Sequence, residues 1–407
     1  MSRDRLLTVS EALERVLQAA TPLPPEEVPF REAAGRALSA DVVAPFDMPP
    51  FDRSAMDGYA VRSADAGTAG VTLEVIGEIP AGHPGDIPVG PGQAARIMTG
   101  APIPPGADAV QMVERVEALE EGHRVRLAAG VIPGENVRHR GEEFRAGSVV
   151  LRAGIPIRAA ETALLATLGI VRVPARRAPR VALLATGDEL VEPDRLPLPH
   201  QIRNSNAYAL ESVLKDLRLP SIYLGIAPDE PAALAAAVRR GLEADVFCLS
   251  GGVSVGDYDF AEDALRGEGV EVLFHGVAVK PGKPLLFGRK GATLVFGLPG
   301  NPVSSLCDFS LFAVPALRRM LGFADPRHRE VEGVLVEEIR QKPGREWYAP
   351  ARAEWRDGAW RVAPVPTRGS ADLAAVCRAN CWLIVPAEVS AVPAGSKVGL
   401  LLWERGF

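Results

Sequence analysis

The chain has 407 residues, enough for about two to four domains at roughly 150 residues each, and its 47% apolar and 24% charged content is that of a folded globular protein rather than a disordered one. A formal charge of -6 argues against a general nucleic-acid binder, and no apolar run approaches the roughly 18 residues of a membrane span. Met1-Ser2-Arg3-Asp4-Arg5 leads into no apolar signal core, so a cytoplasmic protein is expected.

Thr8-Val9-Ser10-Glu11 opens an amphipathic helix running to about Ala20, with Leu13, Val16 and Leu17 on one face and Ser10 as its cap. From about Phe46 to Gly141, short strands at 71–76, 93–98, 109–114 and 124–127 are punctuated by Gly and Pro, the pattern of a small β domain. A helix follows at 158–168. From Arg180 to about Gly322, strand-like runs at 180–185, 221–226, 245–249, 270–274 and 293–296 alternate with helical stretches at 207–217, 231–241 and 259–265. A last helix at about 303–321 follows the final strand. This alternation specifies a doubly wound parallel sheet with helices on both faces. Beyond about 326, strands at 333–339, 348–355, 360–365, 381–385 and 398–403 predict a small β-barrel or sandwich.

Cys248, Cys307, Cys377 and Cys381 form no C-x-x-C pair and read as buried, reduced thiols. The six histidines show no metal-ligand spacing, so catalysis is not sought in His or Cys. Lysine is scarce, with 6 Lys among the 45 basic residues, and two of the six fall in Lys280-Pro281-Gly282-Lys283.

Ligands of an open α/β sheet bind beyond the carboxyl ends of its strands. Four of those ends carry unusual loops: Thr186-Gly187-Asp188-Glu189-Leu190, then Ser250-Gly251-Gly252-Val253-Ser254-Val255-Gly256-Asp257-Tyr258-Asp259, then Val279-Lys280-Pro281-Gly282-Lys283-Pro284, then Leu298-Pro299-Gly300-Asn301-Pro302-Val303-Ser304-Ser305. Any one of them reads as readily as a plain turn; all four at one sheet edge point to a ligand site. Ser250-Gly251-Gly252 lets backbone N–H groups approach an anion, and Lys280 and Lys283 add two charges. Glu189, Asp257 and Asp259 would repel that anion unless a cation intervened, and hard oxygen ligands beside phosphate describe Mg²⁺. The edge is thus expected to bind a diphosphate-containing ligand with a divalent ion. Neither G-x-x-x-x-G-K-[ST] nor G-x-G-x-x-G occurs, which disfavours P-loop and dinucleotide sites. Further polar loops bounded by Gly hold Asp57, Thr99 and Glu143; Asp57-Gly58 by itself reads as a turn.

The runs Ser54–Ala60, Met98–Pro102, Asn136–Glu143, Thr186–Leu190, Ser250–Asp259, Lys280–Pro284 and Leu298–Ser304 resemble, in the same order, the MoeA family of molybdopterin molybdenumtransferases, to which the gephyrin E domain is also similar. The resemblance implies an elongated N-terminal domain (1–50 and 142–177), an inserted β domain (51–141), a MogA-like molybdopterin-binding α/β domain (178–325) and a C-terminal β-barrel (326–407). It implies a homodimer with an active cleft shared between subunits, converting adenylated molybdopterin and molybdate to molybdenum cofactor and AMP. Mg²⁺ would sit on Glu189, Asp259 and Asp257. Asp57, Thr99 and Glu143 would position substrate or water, and Asp188, Ser250, Gly251, Gly252, Ser254, Pro299, Gly300, Asn301, Pro302 and Ser370 would contact substrate. Lys280, Lys283 and Ser304 would hold molybdate. Molybdopterin adenylyltransferase and apo-molybdoenzymes are the implied protein partners, with no nucleic acid or membrane involved.

Three departures stand out. Glu143 occupies the place of a usual Asp, Gly276 that of a frequent basic residue, and Arg345 is open between a surface arginine and a substitute for that charge. The competing readings are a molybdopterin adenylyltransferase, disfavoured by Ser250-Gly251-Gly252-Val253-Ser254 in place of Thr-Gly-Gly-Thr-Gly, and a non-catalytic dimeric scaffold or cofactor carrier, disfavoured by the retained carboxylates and lysine pair.

Overall fold

The structure is a computed structural model and describes residues 5–253 and 260–403. The chain divides into two compact units, one of Met1–Ala40, Ala153–Ala163 and Val171–Phe407, the other of Asp41–Arg152 and Leu164–Ile170.

The larger unit is organised around a six-stranded sheet. Its order across the sheet is Ser221–Ala227, Val181–Thr186, Val246–Ser250, Thr293–Leu298, Leu286–Lys290 and Glu271–His275. Every residue of Val181–Thr186 and of Val246–Ser250 is buried, as befits strands covered on both faces. Side chains alternate: Leu183, Cys248 and Phe296 enter one apolar cluster, whereas Leu184, Phe247 and Val295 enter another. Helices Asn206–Asp216, Pro231–Gly241 and Phe260–Gly267 supply the layers around it.

The sheet differs from the expected all-parallel one. Leu286–Lys290 is an additional strand, antiparallel to both Thr293–Leu298 and Glu271–His275, so the sheet is mixed. The run Leu285-Leu286-Phe287 is short and apolar, and a tight turn at Gly291 (φ +58°) returns it directly onto Thr293–Leu298 as a hairpin. The expected final helix is also interrupted: Pro302–Asp308 and Val314–Met320 are joined through one widened π turn, Phe309–Ala313.

The first helix, Val9–Ala19, buries Val9, Ala12, Val16 and Leu17. Its cap is Thr8 rather than Ser10. Thr8 Oγ1 accepts from the Glu11 N–H (3.2 Å), and the Glu11 carboxylate accepts from the Thr8 N–H (2.9 Å), the reciprocal arrangement of a capping box. A ribbon of Pro25–Pro29 against Arg172–Arg176 completes this end of the unit.

The C-terminal strands close into a five-stranded barrel, in the order Glu346–Arg356, Ala359–Pro364, Val331–Leu335, Lys397–Leu402 and Cys381–Val385, the last pairing back onto the first. Closure depends on the length of Glu346–Arg356, whose first half pairs with Cys381–Val385 and second half with Ala359–Pro364. Val279–Lys280 adds a short parallel pairing to its start, placing Lys280 opposite Trp347.

The smaller unit holds a mixed six-stranded sheet in the order Ala109–Met112, Gly58–Val61, Gln93–Ile97, Thr72–Ile79, Arg124–Leu127 and Val116–Leu119. It carries two apolar clusters of its own, one around Tyr59, Leu73 and Val125 and one around Ile79, Ile97 and Val110. Among the described residues, no helix is long and apolar enough to cross a membrane.

Candidate active site

Beyond the carboxyl ends of the parallel strands lies a cleft of about 740 Å³, lined by Thr186, Glu189, Asp229, Ser250, Gly252 and Asn301 among others. Glycine brings its backbone segments together. Gly251 has φ +98°, and a Cβ there would collide with the Thr186 carbonyl oxygen, so no other residue lets the two strand ends approach so closely. Asn206 ties two further ends: its Nδ2 donates to Ser250 Oγ (2.7 Å) and to the Gly300 carbonyl (2.9 Å). Thr186 Oγ1 donates to Asp229 Oδ1 (2.9 Å), and the Asp229 N–H donates to Asp188 Oδ1 (3.1 Å). Asp188 therefore holds backbone beside the cleft, whereas Glu189 and Asp229 line it. The Glu189 carboxylate lies over Gly187, in space that a side chain at 187 would fill.

A second pocket of about 460 Å³ adjoins the cleft and shares Pro284 and Asn301 with it. Lys280, Lys283 and Arg345 line it together with Ser304, Trp347 and Ser370, and among the described residues no carboxylate lines it. Burial and then the neighbouring Arg345 hold Lys280 below its ordinary pKa. Three cations facing one concavity make a positive potential that favours an anion over a cation. Ser370 belongs to this pocket rather than to the cleft, and its carbonyl accepts from the Val303 N–H (3.0 Å). Pro299, Gly300 and Pro302 line the cleft alone.

In the smaller unit, Asp57 Oδ1 accepts from the Thr99 N–H (2.6 Å) and from Thr99 Oγ1 (2.7 Å). These bonds, the backbone one foremost, hold the Asp57 carboxyl below its usual range. Asp57-Gly58 is not the plain turn that the dipeptide predicts: Gly58 begins the strand Gly58–Val61, and a Cβ on it would strike the Gln111 carbonyl. Glu143 pairs with Arg53 (3.1 Å) and has no hydrogen bond to Asp57 or Thr99. Ser254, Asp257 and Asp259 lie outside the described residues. Among the described residues no three His, Cys, Asp or Glu side chains gather as metal ligands.

Several residues here escaped the sequence reading. Asp229 had a usable signal, an acid two residues past the end of Ser221–Ala227. Asn206 and Asn204 stand at the start of a helix, where Asn reads as a cap; Asn204 does so, its Oδ1 accepting from the Ala207 N–H (3.3 Å), and its Nδ2 also donates to Tyr223 Oη (2.8 Å). Arg345 lines the second pocket beside Lys280. One thiol departs from expectation: Cys377 is exposed, while Cys248, Cys307 and Cys381 are buried.

Comparison with known proteins covers nearly the whole chain. Residues 7–169 match the MoeA N-terminal region (domain I and II), residues 182–319 a probable molybdopterin binding domain, and residues 332–403 the MoeA C-terminal region (domain IV). A molybdopterin molybdenumtransferase of Nostoc sp. is 37% identical over 390 residues, covering 92% of this chain and 88% of its own. One from Bacillus subtilis is 35% identical over 403 residues, covering 97% and 94%. A crystal structure of the molybdopterin biosynthesis moeA protein from Pyrococcus horikoshii superimposes with a TM-score of 0.83 at 32% identity, covering 98% of this chain and 100% of that one.

Proposed function

The chain belongs to the MoeA family of molybdopterin molybdenumtransferases, and on that premise we propose that it inserts molybdate into adenylated molybdopterin, releasing AMP and molybdenum cofactor. The observation that carries this reading is the pair of adjoining pockets at one sheet edge. One is roomy, glycine-lined and bears carboxylates; the other is smaller and lined by three cations and, among the described residues, no acid. A substrate with a diphosphate and a dithiolene fits the first, and a tetrahedral dianion at its end fits the second.

In this reading the Ser250–Gly252 backbone approaches the diphosphate, with Asn206 fixing Ser250 and Gly300 so that both loops keep their spacing. Lys280, Lys283, Arg345 and Ser304 draw molybdate into the second pocket. Mg²⁺ would be held by Glu189 together with Asp257 and Asp259. Glu189 suits it, since its carboxylate lines the cleft and no donor among the described residues engages it. The ion would polarise the diphosphate for cleavage. Asp57, hydrogen-bonded by Thr99, and Glu143 would position substrate or water. The same reading carries with it a homodimer whose cleft is shared between subunits, a cytoplasmic location, and exchange with molybdopterin adenylyltransferase and apo-molybdoenzymes.

The deciding experiment is AMP release from adenylated molybdopterin, with and without molybdate and Mg²⁺. Release should need both additions and should fall by roughly a hundredfold or more in Glu189→Ala and Asp259→Ala. Tight binding of intact substrate with no AMP under any condition would overturn the catalytic reading in favour of a carrier or scaffold.

A further inference from the structure

The second pocket poses a physical problem. Lys280 and Lys283 line one pocket with Arg345, whose charge repels Lys280, and a lysine side chain is flexible enough to swing away from a like-charged neighbour. Proteins commonly fix such a lysine with a carboxylate, but a carboxylate here would cancel the charge that attracts an anion. Among the described residues none pairs with Lys280. The Lys280 Nζ instead stands 3.7 Å from the centroid of the Trp347 ring. An indole face attracts an ammonium through its quadrupole and adds no net negative charge. The contact is built into the backbone, since Lys280 and Trp347 are register partners in the parallel pairing of Val279–Lys280 with Glu346–Arg356. Trp347 also lines the pocket, so the ring holds the ammonium at the wall that an anion would meet.

We infer that Trp347 is a positioning residue that holds Lys280 in the anion pocket without neutralising it, and so sets the pocket's affinity for tetrahedral oxyanions. The inference rests on the reading of this pocket as the molybdate site. Trp347 acts before chemistry, through Lys280, and belongs to the binding of the anion rather than to cleavage of the diphosphate. The depressed pKa of Lys280, caused by burial and by Arg345, is the condition that such a ring would counter.

The test compares full-length wild type with Trp347→Leu and Trp347→Met, which lack a π face, Trp347→Phe, which keeps one, and Trp347→Glu, which offers an ion pair instead. Calorimetric binding of molybdate and of tungstate should weaken roughly three- to thirtyfold in the Leu and Met variants. The Phe variant should stay within about threefold of wild type, and the Glu variant should bind more weakly than either, despite holding Lys280. In the AMP-release assay the loss should appear in KM for molybdate, with kcat at saturating molybdate little changed. Unchanged oxyanion affinity in the Leu and Met variants, or a Phe variant as weak as they are, would overturn the inference. Acylation of Lys280 followed by peptide mass spectrometry separates the two levels of the reading. Faster labelling in the Leu and Met variants supports the clamp even if wild type binds no molybdate, in which case the assignment of the pocket's ligand is what fails. Equal labelling in all variants sinks the clamp whatever the anion does.

Discussion

Asp308 has both carboxyl oxygens buried, with no hydrogen-bond partner among the described residues, directly behind Gly282 of the lysine-bearing turn. A Cβ at Gly282, whose φ is +119°, would collide with that carboxyl, so the glycine and the acid are fitted to each other. Burial pushes the Asp308 pKa well above its ordinary 3.8, so between that value and its folded pKa the fold favours the protonated acid where the unfolded chain has it ionised. The folded state then binds the extra proton, so stability falls as pH rises from about 4 toward the folded pKa, by about 1.4 kcal/mol per unit within that window. Asp308→Asn removes the titration. The difference in unfolding free energy between variant and wild type, measured in urea at several pH values, should grow in the variant's favour as pH rises above 4. A difference that is flat with pH would show that Asp308 is ionised in the fold. None of this is written in Leu306-Cys307-Asp308-Phe309, where an acid amid apolar residues reads as an exposed helix position; its burial is set by the distant lysine turn lying against it.

At the scale of elements, the parallel strands and their terminal loops were legible because each is a local pattern: an apolar run, a glycine pair, a Pro-Gly turn. What joins those loops was not. Asn206 lies 44 residues from Ser250 and 94 from Gly300, and both contacts exist only once the sheet has brought three segments together. Leu286–Lys290 was missed for a related reason, since a five-residue run ending in Arg289-Lys290 is too short to declare itself before its hairpin partner is known. Asn206→Ala should therefore cost about 1–3 kcal/mol, the penalty for leaving the buried Ser250 hydroxyl without its donor. It should also weaken binding of adenylated molybdopterin while sparing molybdate binding, because Ser250 lines only the cleft and not the anion pocket. Urea unfolding together with separate titrations of the two ligands checks both parts, and equal weakening of both ligands would mean that the loops move as one.

Across the whole molecule, the order of architectures along the chain followed from changes in period, from alternating short strands to strand–helix alternation and back. Closure of the C-terminal strands into a barrel did not, because barrel and sandwich share one local pattern and differ only in whether Cys381–Val385 returns to the start of Glu346–Arg356. Nor does sequence show how many units unfold separately. Each of the two compact units has its own buried clusters, Leu73 at the heart of one and Leu249 at the heart of the other. Both leucines are essentially inaccessible, at 1% and 0% exposure, so truncation to Ala should cost about 2–5 kcal/mol in either place. If each unit is cooperative by itself, calorimetry should resolve two transitions. Leu73→Ala should then lower one by several degrees and Leu249→Ala the other, each leaving its counterpart in place. A single transition lowered by both variants would mean that the two cores stand or fall together, and a substitution in either unit would then weaken the ligand pockets of the larger one through global stability alone.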